Sequence, residues 1–319
     1  MFSVIITDTI YNKIIEEEKN NPVAEHANLY KILRKYEHQI ITTEETEKLK
    51  NTPQDVLKHP SSLYILSITP DEASAIQQNY GVMCVSGDNP DVSALIDIND
   101  AFVANKYHKL ERGWDAVLDS VETLPSNSLI IVDRYLFETI EPEEGDGFAN
   151  IEVILDQLLP KQFLGDKYII TIMFNKDNHP LKFDDIIMGL EVVRKKIRKE
   201  YPIQMEVIGF DKGSKIYAKL HNRVIISNYY IVEAGHKIAA FDEDIATARQ
   251  TIYPMAIFTE SSLLGASSPP LRAIKQNVAA IKDFFKYVTR ENKNYDKYAY
   301  ALDGKRKKHC TAIRNRLLK

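Results

Sequence analysis

The sequence predicts an α/β protein: an N-terminal α/β domain with a parallel sheet over residues 1–124, a second α/β domain over 125–268, and a helical, basic extension over 269–319. Three observations predict it. Short apolar runs alternate with amphipathic stretches through most of the chain, the pattern that builds parallel sheets. Caps, prolines and glycines fall at the junctions between them. The composition then changes: Leu271 to Lys319 holds 14 Lys/Arg against 4 Asp/Glu, a local charge of +10, so with the whole chain at -4 the preceding residues carry -14.

In the first domain Phe2–Thr7 reads as an apolar strand, followed by helical patterns over 9–19 and 24–37. His38–Thr42 reads as a second strand, and Thr43–Lys50 as a helix capped by Thr43. Ser62–Ile68 is a third strand. Thr69 then caps a helix with Pro70 at its first position and Gly81 at its end. Val82–Val85 is the fourth strand. Val92 to Leu124, with the only tryptophan at 114, reads as a charged helix, broken by Pro125-Ser126-Asn127. The second domain restarts with a strand, Ser128–Val132, an acidic, glycine-rich loop to Gly147 and a helix over 150–159. Tyr168–Phe174 and Ile203–Ile208 are strands flanking an amphipathic helix, Phe183–Glu200. Ile216–Leu220 and Val224–Ser227 form a strand pair around His221. After Ser267-Ser268-Pro269-Pro270, apolar residues at Leu271, Ile274, Val278, Ile281, Phe285 and Val288 mark one face of a helix.

Composition excludes several classes. A chain of 319 residues, 44% hydrophobic and 27% charged, is ordinary for globular domains. No apolar run approaches the roughly 20 residues that cross a bilayer. The first residues read as a buried strand rather than a signal peptide. Cys84 and Cys310 are too few and too unlike for a disulfide framework or a zinc site. A cytoplasmic protein is expected. No nucleotide-binding glycine loop, serine-hydrolase elbow or zinc-protease motif is present, and no small-molecule cofactor is expected.

The chemistry-bearing string is Leu220-His221-Asn222-Arg223-Val224-Ile225-Ile226-Ser227-Asn228, continuing to Gly235-His236-Lys237. It resembles the phospholipase D superfamily signature, H-x-K-x4-D-x6-G-S, with the spacing kept and three identities changed: Arg223 for Lys, Asn228 for Asp, His236 for Ser. Leu129 to Leu136, with Asp133-Arg134-Tyr135, resembles the strand end that opens such domains. Together they look most like the divergent phospholipase D-like domain of microtubule-interacting-and-trafficking-domain proteins and bacterial relatives, over residues about 127–241. The resemblance implies an imidazole, His221, that attacks a phosphodiester, a cation at 223 that holds phosphoryl oxygens, and a polar residue at 228 that orients them. It also implies phosphate contacts from Asp133, Arg134, Tyr135, His236 and Lys237. A guanidinium suits phosphate well, whereas an asparagine carries no charge. The superfamily needs two facing motifs; no second copy occurs here, so catalysis would require a homodimer. Three readings of His221 stay open: a locally packed strand-end histidine, part of a phosphate pocket, or a nucleophile.

Asp8 ends the first strand, where open α/β sheets bind ligands, which resembles a PIN-type nuclease holding Mg²⁺ or Mn²⁺ with Asp8 among its ligands. Glu44, Glu45, Asp71 and Asp88 are its candidate companions. In the basic tail, Lys305, Arg306, Lys307, Lys308, Arg314 and Arg316 are candidate phosphate-backbone contacts, and Tyr295, Tyr298 and Tyr300 candidate base-stacking platforms. The functional expectation is a nucleic-acid-associated protein with a degenerate phospholipase D-like phosphate-binding domain, with a nuclease of a bacterial defence-type system as its active form. The alternative is a non-enzymatic adaptor for acidic phospholipid or a protein partner.

Overall fold

The structure is a computed structural model that describes residues 2–20, 22–23, 26–96, 102–104, 121, 124–137, 147–177, 181–197, 200–216, 220, 223–234, 250–264, 268–288, 298–304 and 308–319. It is an α/β protein with one parallel sheet and one mixed sheet. The first sheet is formed by β1 (Val4–Thr7), β2 (His38–Ile41), β3 (Leu63–Leu66) and β4 (Met83–Ser86), in the order β2-β1-β3-β4. All its pairings are parallel. Side chains alternate across it. Val4, Ile6, Leu63, Ile65, Met83 and Val85 face one apolar cluster with Ile10 and Ile14 of α1 (Asp8–Asn20) and Leu29 and Ile32 of α2 (Ala27–Lys35). Ile5, Tyr64, Leu66 and Cys84 face a second, smaller cluster on the other side. Both faces of β1, β3 and β4 are therefore covered, which is why these three strands are continuous apolar runs, whereas β2 exposes His38, Gln39 and Ile40.

Two capping boxes punctuate this half. Thr42, not Thr43, caps α3 (Thr43–Asn51): its hydroxyl accepts from Glu45 N at 3.1 Å, and the Glu45 carboxylate accepts from Thr42 N at 2.7 Å. The reciprocal pair needs a threonine three residues before the glutamate, and Thr42 has that spacing. Thr69 and Glu72 make the same box at α4 (Pro70–Tyr80), with Pro70 at its first position and Gly81 at its end, φ +61°.

The second sheet has nine strands among the described residues. They are β5 (Phe102–Ala104), β6 (Ser128–Val132), β7 (Tyr168–Asn175), β8 (Ile203–Phe210), β9 (Arg223–Ile226), β10 (Tyr230–Ala234), β11 (Gln250–Ala256), β12 (Ala299–Leu302) and β13 (Lys308–His309), in the order β13-β12-β8-β7-β6-β9-β10-β11-β5. Its centre, β6-β7-β8, is parallel, and every other pairing is antiparallel. The described helices of this half are α5 (Gly147–Leu158), α6 (Phe183–Lys196), the short α7 (Glu260–Leu264) and α8 (Pro269–Lys286). No helix among the described residues is long and apolar enough to cross a membrane.

Two segments differ from expectation. Between Val92 and Leu124 the described residues include a 3-10 turn, Ser93–Leu95, and strand β5, which pairs with β11; Trp114 lies outside the described residues. Of the expected strand Ile216–Leu220, residues 217–219 lie outside the described residues; Leu220 N donates to Ile216 O at 2.9 Å. The basic extension is only partly helical. After α8, β12 pairs with β8 and β13 with β12, so the tail completes the edge of the sheet. A single glutamate in the apolar run of β8 anchors it. Glu206, fully buried, accepts from Arg314 N at 2.5 Å, Asn315 N at 3.3 Å and Thr171 Oγ1 at 3.1 Å. Burial pushes its pKa above the ordinary carboxylate value. Asn315 in turn donates to Leu129 O and Thr171 Oγ1.

The two sheets share the larger apolar cluster, which runs from Val4 and Ile6 through Ile131 and Ile172 to Val232. At their seam the Tyr229 hydroxyl accepts from Met83 N at 2.9 Å and donates to Ser62 O at 2.7 Å.

Candidate phosphate-binding site

β6 ends at Val132, and the next residue, Asp133, still donates its N–H to Met173 O of β7. The chain then turns. Asp133 Oδ1 accepts from Tyr135 N at 2.9 Å, and Leu136 N donates to Asp133 O at 3.2 Å. This aspartate-headed turn folds Arg134 and Tyr135 over the strand end. β9 runs antiparallel to β6 with Val224 opposite Val132, so the register places Arg223 opposite Asp133. Arg223 Nε lies 3.9 Å from Asp133 Oδ1. Asp133 is 0% exposed, and Arg134 and Arg223 are each 8% exposed. Both guanidinium groups approach one ring: Arg134 is 4.9 Å and Arg223 4.7 Å from the Tyr135 centroid. Cation–ring contacts at such distances contribute about 0.5–2 kcal/mol each, more as water is excluded.

The location has a physical logic. Asp133 lies at the carboxyl end of β6, one of the three parallel strands, and Arg223 comes beside it because β9 runs antiparallel to β6. Ligands of open α/β sheets gather beyond the carboxyl ends of strands. Asp133, Arg134 and Arg223 together carry a charge of +1. A guanidinium presents a planar fork of donors that matches phosphate oxygens.

The other expected site residues divide. His221, His236, Lys237, Lys305, Arg306 and Lys307 lie outside the described residues, as does Tyr295. Lys308 lies in β13. Asn228 does not join Arg223. Its side chain accepts from Asn127 N at 3.0 Å and donates to Pro60 O at 2.9 Å, Ser61 Oγ at 3.2 Å and Asn127 Oδ1 at 3.1 Å. Asn127 sits before the start of β6, whereas Arg223 sits beside its end. Five residues of strand separate the two positions by about 16 Å. The spacing along the chain therefore carries the motif's third residue to the wrong end of the strand for a shared pocket, and Asn228 is a seam residue.

The tail residues also sort by environment. Arg314 is exposed, its backbone held by Glu206. Arg316 is not free for a backbone contact: it donates to Asn127 O at 2.9 Å and lies 5.3 Å from the Phe163 ring. Burial lowers its guanidinium pKa from the ordinary value. Tyr298 donates to Asp211 at 2.6 Å beneath Lys176, and Tyr300 is buried in the core, so neither is a stacking platform.

Asp8 heads α1 and accepts from Thr9 N at 2.7 Å and from Thr43 Oγ1 at 3.4 Å. Its expected companions are engaged elsewhere or exposed: Glu44 pairs with Lys48, Glu45 caps α3, and Asp71 and Asp88 face solvent. Among the described residues no group of three or more His, Cys, Asp or Glu could hold a metal ion. The residues that sequence reasoning missed are Asn127, Glu206, Tyr229 and Asn315. A lone glutamate inside the apolar run of β8 was the available signal for one of them.

No family model matches the chain, and no curated protein does. Among solved structures it is similar to TrmBL2, described as an archaeal chromatin protein with a novel mode of DNA binding, at 11% identity and a TM-score of 0.29. That match covers 85% of this chain and 80% of that one.

Proposed function

We propose that the protein associates with nucleic acid and holds its phosphate groups on the Arg134–Arg223 pair, within a degenerate phospholipase D-like domain over residues about 127–241. The observation that carries this reading is the convergence of two largely buried guanidinium groups on one tyrosine at the carboxyl end of β6, beside a buried aspartate. His221, two residues before Arg223, would be the group nearest in sequence to a bound phosphate. Binding is favoured over cleavage because Asn228 belongs to the seam and a second motif could come only from another copy of the chain. The exposed Arg314 and the basic run 305–308 would extend the contact along a phosphate backbone.

The test is fluorescence anisotropy with labelled DNA and RNA across a salt series. Arg223→Ala should weaken binding about tenfold and reduce the slope of log K against log salt by about 1, the signature of one lost phosphate contact. Equal affinity and slope in wild type and variant would remove the arginine pair from the reading. Sedimentation with acidic vesicles, unaltered by the same variant and unaccompanied by nucleic-acid binding, would favour the adaptor instead.

A further inference from the structure

A cleft lined by cations lies at the seam, away from the arginine pair. The segment 57–61, one face of α8 and the turn at 316–319 enclose a cleft of about 380 Å³. That is within the ~300–1,000 Å³ range of small-molecule sites. Lys58, Lys275, Lys282, Arg316 and Lys319 line it, with His59 beside them, and among the described residues no aspartate or glutamate does. Most of these cations come from the basic segment 271–319, which carries 14 Lys/Arg against 4 Asp/Glu. Clefts lined by one sign of charge concentrate ligands of the other.

Helix periodicity explains the arrangement. Leu271, Ile274 and Val278 recur at three and four residues on α8 and form an apolar wall. Lys275 and Lys282, two turns apart, flank it. Lys275 is exposed and makes no ion pair or hydrogen bond, whereas Lys282 donates to Lys319 O at 2.6 Å. Leu57 extends the apolar wall on the other side. Ser61 supplies a hydroxyl at the base, where it already accepts from Asn228. An inorganic anion alone would leave the apolar walls unused, and a neutral apolar molecule would leave the cations unanswered.

We propose that this cleft binds a nucleoside phosphate, the phosphates toward Lys275, Lys282 and Lys319 and the base against the Leu271–Ile274–Val278 wall. The site stands independently of the Arg134–Arg223 reading.

Isothermal titration calorimetry with ATP, AMP, adenosine and pyrophosphate tests it, using the full chain. ATP should bind more tightly than AMP, and both more tightly than adenosine or pyrophosphate. Lys275→Ala with Lys282→Ala should weaken ATP at least tenfold while Lys195→Ala, at an exposed lysine that does not line the cleft, leaves it unchanged. Thermal melts establish that the double variant is folded; should it melt early, Lys275→Gln alone is read, because that side chain has no partner to lose. No heat with ATP at millimolar concentration overturns the proposal, as does ATP binding that survives the lysine variants or falls equally with Lys195→Ala. Pyrophosphate binding as tightly as ATP also overturns it, by removing any role for the apolar wall.

Discussion

Replacing Asn228 by aspartate restores the residue that the phospholipase D signature carries at that position, and the structure gives the opposite of a gain. The amide donates to Pro60 O, Ser61 Oγ and Asn127 Oδ1. A carboxylate would turn an acceptor toward all three. The Ser61 hydroxyl can rotate to donate, and Pro60 O keeps its bond from Asn127 Nδ2 at 2.9 Å. Asn127 Oδ1 is left facing a carboxylate oxygen, 97% of its new neighbour's residue surface being withdrawn from water if Asn228's 3% exposure is retained. Two lost bonds at about 1 kcal/mol each and one unsatisfied buried acceptor at about 1–3 kcal/mol give a loss of about 3–5 kcal/mol. At about 2 °C per kcal/mol for a chain of this size, the melting temperature should fall by about 6–10 °C. The fall should be smaller at pH 5 than at pH 8, because a protonated carboxyl can still donate one bond and the buried carboxyl is hardest to ionise. Melts of wild type and Asn228→Asp at both pH values, with a chromogenic phosphodiester as substrate, decide the matter. An undiminished melting temperature together with new phosphodiesterase activity would refute the seam assignment and return Asn228 to a catalytic pocket.

Two further perturbations probe the same architecture. The raised pKa of Glu206 means that its stabilising protonated form is fully present below the unfolded value, near 4.5, and that stability is lost as pH rises through the folded value; wild type should therefore lose stability relative to Glu206→Gln across that rise, and parallel melting curves from pH 4 to pH 8 would count against it. At Gly81, φ is +61° and an added Cβ would lie 1.9 Å from Ser126 O, so Gly81→Ala should lower the melting temperature by several degrees through a strain of about 1–3 kcal/mol or more, which an unchanged melt would contradict.

Most of the first sheet was legible because β1, β3 and β4 are buried on both faces and read as apolar runs such as Val4 to Thr7 and Leu63 to Leu66. Thr69, Pro70 and Gly81 marked their helix because capping is local chemistry. The same chemistry should have selected Thr42 over Thr43, since the box is defined by the glutamate three residues on. β12 and β13 escaped because what makes them strands is an edge offered by β8, nearly a hundred residues earlier in the chain. Within the site, Asp133 and Arg223 were each legible as strand-end residues. Their meeting, and the separation of Asn228 from them, depends on the antiparallel register of β6 and β9.

The anchoring of the tail on Glu206 also sets a schedule for the growing chain. Its backbone donor Asn315 is 109 residues downstream. At about 5–20 residues per second, the ribosome delivers that donor on the order of 5–20 s after the glutamate has been made. During that interval the centre of the large sheet holds a carboxylate with Thr171 in place but its two backbone donors not yet made, so it must stay hydrated or protonated. β8 can therefore join the sheet early, but the water around Glu206 can be expelled only when the last segment arrives. A slow final step in refolding, abolished in Glu206→Leu, would be its trace in vitro.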